Sequence, residues 1–180
     1  GELVLDFGQN MTGYVEIRLA GPRGGKIVLR HAEVLDKDGN FYEGNMRSAT
    51  NEVTYILSGQ EETYKPTYTF QGFRYVKLLE FPMERVDLNA FRAVVVHSEM
   101  KRTGNFHCGN EKINQLYHNI IWGQKSNYLD IPTDCPQRDE RLGWTGDAQV
   151  FCKAAAINYD VEKFFKKWLG DVAAEQLPDG

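Results

Sequence analysis

The run Tyr14-Val15-Glu16-Ile17-Arg18-Leu19 is the clearest strand signal in the chain. Apolar side chains alternate in it with two charged ones, so the two kinds would lie on opposite faces of an extended backbone. A period of two is typical of a half-buried β-strand. The next residues, Gly21-Pro22-Arg23-Gly24-Gly25, have the composition of a turn that needs glycine dihedrals. The sequence therefore predicts a strand and a chain reversal here.

Short runs of the same kind, bounded by turn residues, continue to about residue 100. Further strand candidates are Lys26–His31, Glu52–Leu57, Tyr64–Phe70, Phe73–Glu80 and Ala90–Ser98. Six or more short strands with regular turn signals and no helical period predict an antiparallel β-sandwich. We assign this predicted domain to residues 1–100. His31 falls within a strand candidate, which indicates a structural rather than a catalytic histidine.

The pattern becomes helical after about residue 100. Asn110 is a predicted N-cap, and apolar residues then recur every three or four positions, so we expect an amphipathic helix over Asn110–Tyr128. A second helix is predicted from about Asp147 to Asn158, and a third with Asp160 as its cap. Three helices cannot bury apolar faces this large on one another. We therefore expect the chain to be a fragment in which residues 101–180 form the first part of a larger helical domain. The apolar face of the third helix is also a candidate surface for homodimer formation.

The charge and composition of the chain argue against several classes of binding partner. The net charge is −4 and the isoelectric point about 5.6, with no stripe of Lys and Arg, which argues against nucleic acid and anionic membrane. Apolar runs such as Ala93–Val96 are too short to span a bilayer. The three cysteines, Cys108, Cys135 and Cys152, form no C-x-x-C pair, so we expect isolated thiols and a cytoplasmic location. Nothing in the sequence indicates a metal or a cofactor.

The segment Ile131–Asp147 concentrates the chemically useful side chains. It holds four carboxylates, two arginines and one tryptophan in seventeen residues between two predicted helices. A protonated carboxyl can act as a general acid, and neighbouring carboxylates can keep a proton on it by repulsion. Asp and Arg can hydrogen-bond to sugar hydroxyls, and an indole can stack on a sugar. The alternative from spacing alone is a solvated, salt-bridged loop with Trp144 buried as a plug.

Several motifs resemble those of bacterial α-L-rhamnosidases. The longest is Asp134-Cys135-Pro136-Gln137-Arg138-Asp139-Glu140-Arg141-Leu142-Gly143-Trp144-Thr145-Gly146-Asp147-Ala148-Gln149. Shorter ones are Asp6–Gly13, Arg30–Glu33, Phe70–Tyr75, Trp122–Asn127 and Asn158–Asp160. The resemblance covers essentially the whole chain, and a motif of this length is very specific.

The resemblance implies a β-sandwich followed by an (α/α)6 barrel that releases terminal L-rhamnose from glycosides and polysaccharides with inversion, without a metal. The family's general acid falls on Glu140. Its rhamnose-binding groups fall on Asp134, Arg138, Trp144 and Asp147. No residue of this chain matches the family's general base, a glutamate far downstream, so we expect the chain by itself to be inactive.

Two other functions remain as alternatives at this point. The first is a non-catalytic carbohydrate-binding sandwich, although the acidic motif lies on the helical side, where such a module has no use for it. The second is a hydrolase of the same architecture that acts on another deoxysugar.

Overall fold

The computed structural model describes residues 2–178, and the chain divides into two compact units. The first unit consists of Gly1–Val96 and Pro136–Asp139. The second consists of His97–Cys135 and Glu140–Gly180. The motif segment Ile131–Asp147 therefore contributes residues to both units.

The described residues of the first unit form a single curled antiparallel sheet. Its strands are β1 (Leu3–Leu19), β2 (Lys26–Ala32), β3 (Glu52–Ile56), β4 (Glu62–Tyr64), β5 (Gln71–Glu80) and β6 (Phe91–Val95). They form a six-stranded sheet in the order β3-β2-β5-β1-β4, and β6 also pairs with β1. Ile17 of β1 pairs with Tyr64 on one side and Phe91 on the other. The predicted order of an antiparallel β-domain followed by helices is confirmed. In place of the two stacked sheets of a β-sandwich, the described strands of this unit form one curled sheet, with the long strand β1 near its centre.

Strand β1 is irregular where its register against β5 shifts, between Asp6 and Met11. Gly8 has a φ of 77°, in the left-handed region that favours glycine. The Asp6 carboxylate accepts a hydrogen bond from the Gly8 N–H at 2.7 Å and two from Arg74 at 2.7 and 2.8 Å. A bulge bends its strand. The segments on either side of this irregularity both pair with β5, and the later part of β1 also pairs with β4 and β6.

The core of the first unit follows the alternation predicted for β1. Val15 and Ile17 are buried and Arg18 is exposed. His31, in β2, is also buried, with Nδ1 2.9 Å from the carbonyl oxygen of Asn51 and its ring 5.0 Å from that of Phe73 between centroids. Burial lowers the pKa of His31 to about 4, because it outweighs the opposing effect of the hydrogen bond to Asn51. His31 is thus a neutral, structural histidine at neutral pH.

The strand predicted over Tyr64–Phe70 is wrong beyond its first residue. The observed strand is Glu62–Tyr64, and the chain leaves the sheet after it. Pro66 has no N–H to give to a ladder, and Tyr68 has a φ of 58°, which no strand residue adopts.

The described part of the second unit contains three helices and a two-stranded hairpin. The elements are α1 (Glu111–Asn127), β7 (Tyr128–Leu129), β8 (Ile131–Pro132), α2 (Thr145–Asn158) and α3 (Glu162–Ala174). Their core is Ile121, Tyr128, Ala155, Tyr159, Val161 and Phe164, with Tyr128 stacked on Phe164 at 4.4 Å between ring centroids. Within residues 2–178, no helix combines the length and apolarity that crossing a membrane requires.

Both residues predicted as helix caps accept a hydrogen bond from a first-turn N–H of their helix. The Asn110 side chain accepts a hydrogen bond from the Lys112 N–H at 3.0 Å and caps α1 as predicted. The residue next to α3 is Val161, which makes no side-chain capping bond. The Asp160 carboxylate, one residue earlier, accepts a hydrogen bond from the Glu162 N–H at 3.3 Å and so supplies the capping bond predicted for it.

Candidate functional site

The motif segment starts from the β7–β8 hairpin, which is closed by a single residue. Asp130 makes this turn with a φ of 67° and donates its N–H to the Ser98 hydroxyl oxygen at 2.8 Å. Thr133 donates its N–H and its hydroxyl to the carbonyl oxygen of Asn127 at 2.9 and 3.0 Å. Thr133 also forms an isolated β-bridge with Gly143. These bonds hold the two ends of the loop side by side.

The returning end of the loop packs on α3. A Cβ atom added at Gly143 would lie 2.7 Å from Nε1 of Trp168. A larger residue at this position would have to displace the indole, which is buried. Glycine at position 143 therefore lets the loop backbone approach α3 closely.

The middle of the loop, Pro136–Asp139, belongs to the first unit. A Cβ atom at Gly72, in β5, would lie 3.0 Å from the Gln137 Cα atom, so only glycine allows this backbone approach. The Ser48 hydroxyl donates a hydrogen bond to the Asp139 carboxylate, and this bond lowers the pKa of Asp139. Asp139 had no predicted role, and the structure shows it as an anchor of the loop. Arg138 lies in this anchored segment and is half-buried.

Two predicted functional carboxyl groups meet around a cysteine in the second unit. The Cys135 thiol donates to Oδ2 of Asp134 at 3.1 Å. One carboxylate oxygen each of Asp134 and Glu140 and the sulfur of Cys135 all lie within 4.8 Å of one another. Cys135 is buried, and the two acids are half-buried. We call Asp134, Cys135 and Glu140 the acid cluster; sequence reasoning predicted both acids and missed the thiol.

Three converging ligand atoms could in principle hold a cation. Cysteine binds metals as a thiolate, whereas Cys135 is placed to donate a hydrogen bond to Asp134. A thiol that donates a hydrogen bond to one of the two carboxylates is poorly matched to a structural metal.

Asp134 and Asp147 also line one cavity of about 610 Å³ in the second unit. Asp147 is in the first turn of α2, where the helix dipole favours a negative charge. The apolar part of the wall includes Tyr128 and Phe151. Burial raises the pKa of Tyr128 to about 12, so its phenol is neutral at physiological pH. The cavity thus combines two carboxylates with an aromatic wall, a mixture that suits a small polyhydroxylated ligand with an apolar side.

Trp144 immediately precedes α2 and is its N-cap residue. Its side chain is 43% exposed. The alternative of an indole buried as a plug is therefore wrong, and an aromatic face is available for stacking.

Two family models match successive parts of the chain. The bacterial alpha-L-rhamnosidase concanavalin-like domain matches residues 1–97, and the bacterial alpha-L-rhamnosidase 6 hairpin glycosidase domain matches residues 101–180. An alpha-L-rhamnosidase of Streptomyces avermitilis is 47% identical over 100% of this chain and 18% of its own length. One of Formosa agariphila is 43% identical over 98% of this chain and 19% of its own length.

Solved structures agree with the sequence relatives. The crystal structure of the Streptomyces avermitilis alpha-L-rhamnosidase complexed with L-rhamnose has a TM-score of 0.93 and 47% identity, over 99% of this chain and 17% of that one. The alpha-L-rhamnosidase from Dictyoglumus thermophilum has a TM-score of 0.92 and 44% identity, over 99% of this chain and 20% of that one. The chain spans about one fifth of the length of the curated relatives that it matches. The chain belongs to the bacterial α-L-rhamnosidase family.

Proposed function

We propose that the chain supplies the acid side of an inverting α-L-rhamnosidase active site, with Glu140 as the general acid. A general acid must lie beside the group that holds the sugar, so that its proton can reach the glycosidic oxygen. The observation that carries the proposal is the acid cluster, in which carboxylate oxygens of Glu140 and Asp134 lie within 4.8 Å.

The other predicted residues have matching roles in binding a terminal α-L-rhamnose. Asp134 and Asp147, which share a cavity wall, accept hydrogen bonds from ring hydroxyls. Arg138 donates hydrogen bonds, and the exposed indole of Trp144 stacks on the apolar face of the sugar. The substrate class is a rhamnose-containing glycoside or polysaccharide, in keeping with the L-rhamnose complex of the Streptomyces relative.

The general base is proposed to lie outside these 180 residues. An inverting pair of carboxyl groups is about 6.5–9.5 Å apart, because a water molecule must attack from the opposite face of the sugar. Asp134 is closer to Glu140 than this and comes from the same loop. We therefore expect the purified 180-residue chain to leave p-nitrophenyl α-L-rhamnoside uncleaved. Robust turnover by the chain alone would overturn this part of the proposal.

The role of Glu140 is tested in the full-length enzyme with Glu140→Gln, which keeps the shape and loses the acid. We expect kcat to fall by about two to four orders of magnitude. The loss should be larger for a phenyl than for a p-nitrophenyl rhamnoside, because a poorer leaving group depends more on protonation. Glu162→Gln, at an exposed position in the first turn of α3, is the matched control. A near-normal rate for Glu140→Gln on both substrates would remove Glu140 from the mechanism.

The stereochemical course tests the inverting mechanism separately. Proton NMR of the first product formed from an α-rhamnoside should show β-L-rhamnose. An α-L-rhamnose first product would show retention and refute inversion.

Inhibition by free sugars distinguishes rhamnose from another deoxysugar. We expect L-rhamnose to inhibit the full-length enzyme and L-fucose, the control, to have little effect. The reverse order would favour the alternative of a different deoxysugar substrate.

A further inference from the structure

A thiol lies beside the two carboxyl groups of the acid cluster. Cys135 is 8% exposed, and its sulfur lies 3.1 Å from Oδ2 of Asp134. The sulfur is also within 4.8 Å of a Glu140 carboxylate oxygen. The proposed function gives a role to both carboxyl groups and none to this thiol.

The direction of the contact follows from the chemistry of its two groups. An ionised carboxylate can only accept a hydrogen bond, and a neutral thiol can donate one. Cys135 therefore donates to Asp134. A hydrogen bond to a charged acceptor is stronger than a neutral one, and burial strengthens it further. This bond restricts rotation of the Asp134 carboxylate and so fixes where its oxygens point.

A thiol is compatible with this buried position, because a buried cysteine behaves as a small hydrophobic residue with a weak donor. The other two cysteines make different contacts: Cys108 and Cys152 direct their thiols to backbone carbonyls two and three residues away. Of the three cysteines, only Cys135 has a carboxylate of the proposed site as the partner of a described hydrogen bond.

We propose that Cys135 is a positioning residue for rhamnoside hydrolysis, whose thiol orients the Asp134 carboxylate beside Glu140 for binding sugar hydroxyls. The inference rests on the proposed function of these two acids. It predicts that the thiol acts on catalysis only through Asp134.

The test compares Cys135→Ala, which removes the donor, with Cys135→Ser, which keeps one, in the full-length enzyme. We expect kcat/KM on an aryl rhamnoside to fall about tenfold in Cys135→Ala, near the lower end for a hydrogen bond to a charged group. Cys135→Ser should stay within about twofold of wild type, as should Cys152→Ala, an exposed cysteine on α2. In an Asp134→Ala background, adding Cys135→Ala should change kcat/KM by less than about twofold, because the two residues act as one unit.

Three results would overturn the proposal. They are a Cys135→Ala rate within about twofold of wild type, equal losses in Cys135→Ala and Cys135→Ser, or the full Cys135→Ala loss in the absence of Asp134. Circular dichroism on every variant identifies a loss that is due to misfolding, and Cys135→Ser then decides whether the donor matters. Asp134→Ala and Glu140→Gln measured alongside keep the two proposals apart. If those variants are impaired and Cys135→Ala is not, only the positioning role fails; if they are near normal, the proposed function fails.

Discussion

Acid should destabilise the first unit through His31, whose side chain is 1% exposed. Burial holds the pKa of His31 at about 4 in the folded protein, and in the unfolded chain it returns to about 6.5. Between these values the unfolded state binds a proton that the folded state does not, so stability falls as the pH drops from about 6.5 to about 4. For these two pKa values, proton linkage costs about 2 kcal/mol between pH 7 and pH 4.5.

The assay is urea unfolding of wild type and His31→Gln at both pH values, followed by circular dichroism. Carboxylates also respond to acid, but they do so in both proteins, so the difference between the two isolates His31. We expect wild type to lose about 2 kcal/mol more than His31→Gln on acidification. His118→Gln, at an exposed position on α1, should behave as wild type. Equal pH dependence of wild type and His31→Gln, or an NMR titration of His31 near pH 6.5, would refute the reasoning.

Two further predictions concern the second unit. Gly143→Ala should lower the free energy of unfolding by about 1–3 kcal/mol through overpacking against Trp168, as urea unfolding followed by tryptophan fluorescence would show. Its control Gly146→Ala has open space around the new methyl group and should be neutral or slightly stabilising; equal losses would contradict the packing argument. The exposed apolar residues Leu169 and Val172 make α3 the proposed homodimer surface of the isolated chain, and a strict monomer in sedimentation at high concentration would count against it.

Local periodicity predicted the parts of the fold in which one face of a strand or helix is buried. The second half of β1 was found because Val15 and Ile17 alternate with polar residues. Its first half was missed because Gly8 and the bulge around it break that alternation. The prediction of a strand after Tyr64 was wrong because it relied on aromatic composition. Aromatic residues also occur in loops, and a proline such as Pro66 cannot donate the N–H that a β-ladder needs.

The sequence likewise predicted some residues of the candidate site and missed others. Glu140, Asp134 and Asp147 were predicted as site residues because a long motif marks them. The residues that hold this motif in place were not, because they are distant in sequence: Ser48 is 91 positions from the Asp139 carboxylate that it contacts. The sequence around Gly72 does not indicate that glycine is needed there, because the need comes from close contact with Gln137, a residue distant in sequence.

Pro136–Asp139 belongs to the first unit, and this affects how domains can be exchanged between enzymes of this family. A chimera joined near residue 100 would inherit Gln137 and Asp139 from one parent, and Gly72 and Ser48 from the other. If the two parent enzymes differ at either pair of positions, the hybrid would have correctly folded domains but a displaced motif segment. Domain exchange in this family therefore needs matched residues at positions 48 and 72, and not only a well-chosen junction.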